Sequence, residues 1–255
     1  MDLKTWQAMT RKGIDEALTR SLSREVFGGW QENTITCEVL AAIHTTELIT
    51  WSGNGVRAGY RVFKASGAHE TANGDIAMCI EFESTAGNKA VATKYFEAKK
   101  RYLKSRSYDA LDDDQLSRMQ LKPGHEVLLY SFAEEFEGAR TGQAWSLPTP
   151  LAMLLKEGGP GALHGGASSF WVALQLALYG RGLNWDPDAA DAFAGAYSGF
   201  STEPGFGIVA RVGSPDFVNE LDHSLGPEGY VPFSKSDWSE DDDTPKGPGS
   251  TNRFR

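Results

Sequence analysis

The chain has 255 residues and carries 25 Lys and Arg against 34 Asp and Glu, a formal charge of -9. No apolar run approaches the ~20 residues needed to span a bilayer, and Met1-Asp2-Leu3-Lys4 opens without the apolar stretch of a signal peptide, so a cytoplasmic chain with no membrane partner is expected. Two cysteines, Cys37 and Cys79, are too few for a disulfide framework and lack metal-type spacing; reduced, buried thiols are expected.

In chain order, Leu3, Trp6, Met9, Ile14, Leu18 and Leu22 fall on one stripe, so residues 2–24 read as a helix that ends at Gly28-Gly29. A second helix is expected from Thr36 to Trp51, with Val39, Leu40, Ile43 and Leu48 inward and Gly53-Asn54-Gly55 closing it. The segment from Gly53 to Gly59 departs from the dinucleotide fingerprint and would run from helix into strand, the reverse of a phosphate cradle. A strand from Arg57 to Ala65 follows. Asp75 to Phe82 and Ala90 to Ala98 are rich in β-branched, aromatic and small apolar residues, and Ala86-Gly87-Asn88 between them supplies the turn of a hairpin.

Tyr108 to Met119 reads as a helix with the acidic first turn Asp112-Asp113-Asp114, where a dipole favours carboxylates. Glu126 to Phe132 is a continuous apolar strand of the doubly buried kind, and the intervening helix makes it a crossover strand parallel to its neighbour. Further on, Pro148 to Glu157, Ser168 to Tyr179 and Pro187 to Tyr197 read as helices, with a strand at Gly207 to Val212. Gly158 to Gly166 reads as a flexible glycine loop, whose His164 is a candidate general acid or base without a visible partner. Residues 234–255 form a polar, acidic tail that lacks the apolar surface to fold alone.

The hairpin carries the chemistry. Period-2 alternation puts Glu97 and Lys99 on one face and Phe96 and Ala98 on the other; it also points Lys100, the alternative to Lys99, away from Glu97. Asp75 opens the partner strand, and the start of one antiparallel strand lies beside the end of the other. Two carboxylates converging with one lysine suit Mg²⁺, which takes hard oxygen ligands and keeps waters for substrate phosphates. Lys94, Lys99, Lys100, Arg101, Lys104 and Arg106 surround Glu97, with Tyr95 and Tyr102 interleaved, and read as a patch that grips a nucleic-acid backbone; on the next helix Gln115 and Arg118 share a face, and either is in reach of phosphate.

Glu70, Gly74-Asp75 and Glu97-Ala98-Lys99 resemble the motif of the PD-(D/E)XK, or restriction-endonuclease-like, nucleases, with glycine where many members have proline. The resemblance covers about residues 32–132, and the sequence shape around Tyr108 to Phe132 is similar to nuclease-like families of prokaryotic defence. It implies an α/β fold with an α-β-β-β-α-β core and a mixed central sheet flanked by helices, all in one domain over 1–233 with a helical C-terminal extension from about 145 to 233. It also implies a Mg²⁺-dependent endonuclease, Mn²⁺ substituting, that acts on nucleic acid and on DNA in preference. Asp75, Glu97, Lys99 and Glu70 would be catalytic. Asp75, Glu97, the Ala98 carbonyl and a helix glutamate, Glu32 with Glu38 as its rival, would face the metal. A homo-oligomer or an activating partner would fit such an enzyme. The competing expectation is a catalytically silent nucleic-acid-binding or interaction module on the same fold.

Overall fold

A computed structural model describes residues 1–44, 49–51, 55–65, 75–108, 111, 113–121, 123–135, 139–189, 205–223 and 230–232. Helix α1 (Leu3–Ser23) is started by Asp2, whose carboxylate accepts the Thr5 amide at 2.9 Å. Its stripe of Trp6, Ile14, Leu18 and Leu22 is buried, and α2 (Glu32–His44) packs beside it. The sheet strands follow: β1 (Ile49–Thr50), β2 (Arg57–Ala65), β3 (Ile76–Glu83), β4 (Lys89–Lys100), β5 (His125–Glu134), β6 (Arg140–Pro148), β7 (Ser168–Ser169), β8 (Phe206–Gly213) and β9 (Tyr230–Pro232). Helices α3 (Asp113–Gln120), α4 (Thr149–Leu155), α5 (Gly159–Gly166) and α6 (Phe170–Leu178) complete the layers, with a short helix at Pro215–Asn219.

The strands form one mixed sheet in the order β1-β2-β8-β3-β4-β5-β6-β7, with β9 pairing β2. Helices α1, α2 and α6 close one face over Ile76, Met78, Phe96, Ala98, Leu128 and Tyr130. Leu116 of α3, Ala152 of α4 and Leu163 of α5 close the other face over Val127, Leu129 and Leu147. The result is an α/β sandwich of three layers. Among the described residues no helix is long and apolar enough to cross a membrane.

The hairpin has the expected form. Ile76 pairs with Phe96 and Glu83 with Lys89. The Ser84 amide donates to the Asn88 carbonyl at 2.9 Å, and Gly87 takes a φ of 77°, which a side chain would resist. Strand β5 lies parallel to β4, Glu97 beside Val127 and Lys99 beside Leu129, as the crossover predicts. Both cysteines are buried and free.

Four expectations need correction. The second helix spans Glu32–His44 rather than Thr36 to Trp51. Buried Ile49 and Thr50 are drawn into a strand against Ala58 and Arg57, tertiary pairing overriding a helical stripe. The glycine segment 158–166 is largely helix α5, started by Pro160 and held by buried Leu163.

The third concerns β6, unannounced in the sequence because its buried positions include small residues, Gly142, Ala144 and Ser146, that carry little apolar signal. Gly142 is required there: a Cβ would stand 2.2 Å from that of Leu18, so only glycine lets α1 lie on the strand. Last, the stretch expected as a helical extension with one strand at Gly207 to Val212 has that strand, as β8, and also adds β7, β9 and the end of β6 to the sheet. Strand β8 inserts between β2 and β3, antiparallel to the first and parallel to the second. The helix expected at Pro187 to Tyr197 is described only as far as residue 189, and the acidic tail lies outside the described residues.

Candidate functional site

The hairpin register, continued by one residue from Ile76 and Phe96, sets Asp75 across from Glu97. The Asp75 amide donates to the Phe96 carbonyl at 2.9 Å, and Asp75 Oδ2 accepts the Ala98 amide at 2.6 Å. Lys99 Nζ donates to Glu97 Oε1 at 2.6 Å, and Glu97 is only 5 % exposed. Asp75, Glu97 and Lys99 are thus gathered at the carboxyl end of β4, as alternation and the antiparallel pairing predict. Lys100 points elsewhere and donates to Gln31 Oε1 at 2.7 Å.

Glu32 is the first residue of α2, which enters over the same end of the sheet. Its charge acts on Asp75, Lys99 and Tyr130 together. Its rival Glu38 faces away and pairs with Arg20 at 3.2 Å and Arg24 at 3.9 Å. Glu70 lies outside the described residues. Tyr130, overlooked in the sequence because it sits in an apolar strand, is fully buried beneath this cluster and donates from its hydroxyl to Thr36 Oγ1 at 2.9 Å.

Among the described residues, the Asp75, Glu97 and Glu32 carboxylates act on one another and on the Lys99 ammonium, and the electrostatics register their crowding. Burial, then Glu97, then Glu32 push the Asp75 carboxyl up to about 8, against the opposing pull of the Ala98 amide and Lys99. Burial would draw the Lys99 ammonium down, but Glu97, by charge and hydrogen bond, then Glu32 and Asp75 outweigh it and hold the group above its ordinary value. A divalent cation would relieve this crowding, and the donors are the hard oxygens it prefers. Among the described residues no three His, Cys, Asp or Glu side chains form a cage for an ion. Asp75, Glu97 and the Ala98 carbonyl would hold Mg²⁺ with water and substrate oxygens completing its shell, Glu32 standing behind.

The expected basic patch is thinner than its sequence. Lys94 is 1 % exposed; its Nζ lies 2.5 Å from Glu126 Oε1 and 3.1 Å from the Gly182 carbonyl, so it cannot grip a phosphate backbone. Alternation along β4 turned it into the sheet's α6 side, where its ammonium also lies over the Phe96 ring. Arg101 donates to the Arg106 and Phe132 carbonyls and stacks on Phe132, and exposed Arg106 pairs with Glu134 at 2.6 Å. Lys100 and exposed Lys104 remain towards solvent, with Gln115 half-buried on α3. Asp113, in the first turn of α3, pairs with Lys156, and Asp112 lies outside the described residues.

His164, expected as a partnerless loop residue, is a helical residue hydrogen-bonded to the Tyr108 hydroxyl and stacked on Trp145 with ring centroids 5.7 Å apart. Tyr108 and Trp145 gave no sequence signal, since their meeting depends on β6 and α5. Searches of protein-family models, of curated proteins and of solved structures return no match for this chain.

Proposed function

We propose that this chain is a Mg²⁺-dependent nuclease of the PD-(D/E)XK kind that hydrolyses phosphodiester bonds, DNA in preference. The observation that carries this reading is the convergence of charges at one rim of the sheet: Asp75 and Glu97 opposed across a hairpin, Glu32 in electrostatic reach, and Lys99 hydrogen-bonded to Glu97. Apart from the two-residue β1, the order α2-β2-β3-β4-α3-β5, with β5 parallel to β4, supports the family assignment, although β8 intervenes between its first two strands.

Glu97 holds the Lys99 ammonium in place, and Asp75 is anchored on the Ala98 amide, so the acidic pair and the lysine are preorganised before substrate arrives. The bound metal would lower the pKa of a water and neutralise charge on the phosphate. Lys99 stabilises the negative charge that develops as phosphorus is attacked. Lys100 and Lys104 steer the flanking backbone to the rim, a modest attraction that suits a chain of net charge -9. That thin cationic surface also favours a second reading, a silent interaction module on the same fold.

The test is a substrate panel of supercoiled plasmid, linear duplex, single-stranded DNA and RNA, incubated with Mg²⁺, Mn²⁺ or EDTA. The nuclease reading expects metal-dependent cutting that Lys99→Ala abolishes. Cutting that survives in Lys99→Ala would show the site misplaced; no cutting by wild type under any condition would favour the silent module.

A further inference from the structure

One polar cluster plays no part in the proposed chemistry, yet it stands on the same sheet face. Strand registers place Lys99, Leu129 and Trp145 in one cross-strand row, because Lys99 pairs with Leu129 and Leu129 with Trp145. Neighbouring strands are ~4.8 Å apart, so the Trp145 backbone stands roughly 10 Å from that of Lys99. Above Trp145, His164 of α5 stacks on the indole at an interplanar angle of 27°, and Tyr108 meets the imidazole edge-on at 85° with its hydroxyl hydrogen-bonded to Nε2.

The chemistry of this cluster differs from that of its neighbour. Burial first, then the Arg101 charge, lowers the His164 imidazole below its ordinary value, and burial pushes the Tyr108 phenol up to about 12. Both are therefore neutral near pH 7. Trp145 is half-buried, and its indole Nε1, itself shut from solvent, has no hydrogen-bond partner among the described residues. Buried donors normally find acceptors; a ligand meets this cluster at the part-exposed rings of Trp145 and His164, and reaches the orphan donor only if the indole shifts. Neutral rings with hydrogen-bonding edges are poor at holding phosphate. They suit a flat heterocycle, which offers a stacking face and an acceptor-bearing edge together.

We infer that Trp145, His164 and Tyr108 form a recognition pocket for an unstacked nucleobase of the substrate, next to the phosphate held at Asp75, Glu97 and Lys99. This inference rests on the nuclease reading for its neighbour but not for its own ligand. The rim then has two parts: a charged part that takes the phosphodiester and a neutral aromatic part that takes a base. The favoured substrate is a strand whose bases are exposed, single-stranded or locally opened, because a base inside a duplex cannot reach a ring on the protein.

The experiment is fluorescence-anisotropy binding of a labelled pentadeoxynucleotide and its five single-abasic versions to wild type in EDTA, so that no cutting intervenes. One abasic position should weaken wild-type binding about tenfold, the scale of one lost base stack. Trp145→Ala and His164→Ala should bind all six oligonucleotides alike. Tyr108→Phe, which keeps the ring and its packing, should retain the abasic effect while losing preference among the four bases at that position; it serves as the safeguard should the alanine variants misfold. A flat abasic scan in wild type, no binding at millimolar protein, or an unchanged profile in the variants overturns the pocket and leaves Tyr108 and His164 as packing. Metal-dependent cutting with a flat scan removes this inference alone. A position-specific abasic effect without any cutting supports the pocket and removes the nuclease reading alone.

Discussion

Strand β4 carries two buried lysine–glutamate pairs five residues apart, and they differ in kind. At Lys94 one ammonium meets one carboxylate of Glu126; the Gly182 carbonyl takes another lysine proton and Ser146 donates to the remaining Glu126 oxygen. Charge and hydrogen-bond capacity are balanced, and the pair ties β4, β5, β6 and the chain after α6 together. At Lys99 the lysine meets Glu97, and the charges of Asp75 and Glu32 crowd the same rim, so that the Asp75 carboxyl is forced up to about 8. A pair that closes on itself builds the fold, whereas the crowded carboxylates at Lys99 are, in the proposed reading, prepared for a cation and its substrate.

Lys94→Met, which leaves Glu126 buried and unanswered, should destabilise the protein by about 3–5 kcal/mol in urea unfolding, and Lys94→Met/Glu126→Met should recover most of that loss. Equal loss in the single and double variants would deny that charge balance matters there. At the other pair, Lys99→Ala should lower metal-dependent cleavage by at least roughly 10²–10³-fold in single-turnover assays, enough to abolish visible cutting in the substrate panel, with the far-ultraviolet spectrum unchanged.

Asp75 gives a smaller effect of defined sign. Its ordinary value is 3.8 and its folded value about 8, so between those pH values the native state holds the extra proton and stability falls as pH rises. Asp75→Asn, which keeps an oxygen for the Ala98 amide, should therefore stabilise the metal-free protein at pH 8 by on the order of 1–3 kcal/mol after solvent screening at this partly exposed group, roughly 2–10 °C in Tm. The effect should shrink as pH falls and be gone well below 3.8, where both states hold the proton. Smallest of all, Lys104→Ala should weaken nucleic-acid binding a few-fold and reduce the salt slope by about one, while Lys94→Met leaves that slope untouched because its ammonium never reaches solvent.

Much of this was legible locally and little of it at long range. The hairpin, its turn at Gly87, the shared face of Glu97 and Lys99 and the parallel β5 all follow from alternation and element order, which are properties of neighbouring residues. Strand β8 could not be placed between β2 and β3, because its partners lie more than a hundred residues away and its pattern of Phe206, Ile208 and Ala210 fits any buried strand. The same limit misjudged the basic run: composition counted Lys94 as a surface charge, although its position in the pleat and a glutamate on the next strand make it core. His164 passed for a loop residue because glycines mask a helix that is held by packing on Leu163 rather than by propensity.

The central claim is that the crowded carboxylate charge at Asp75, Glu97 and Glu32 exists to bind a divalent cation. Calorimetric titration of the metal-free protein with Mg²⁺ and Mn²⁺ at pH 7, repeated in buffers of different ionisation enthalpy, measures both binding and the protons released. A bound ion must displace the proton that Asp75 holds at that pH, so binding should release close to one proton per chain, and both the heat and the proton should vanish in Asp75→Asn. Absence of binding at millimolar metal, or binding that Asp75→Asn leaves unchanged, would contradict it.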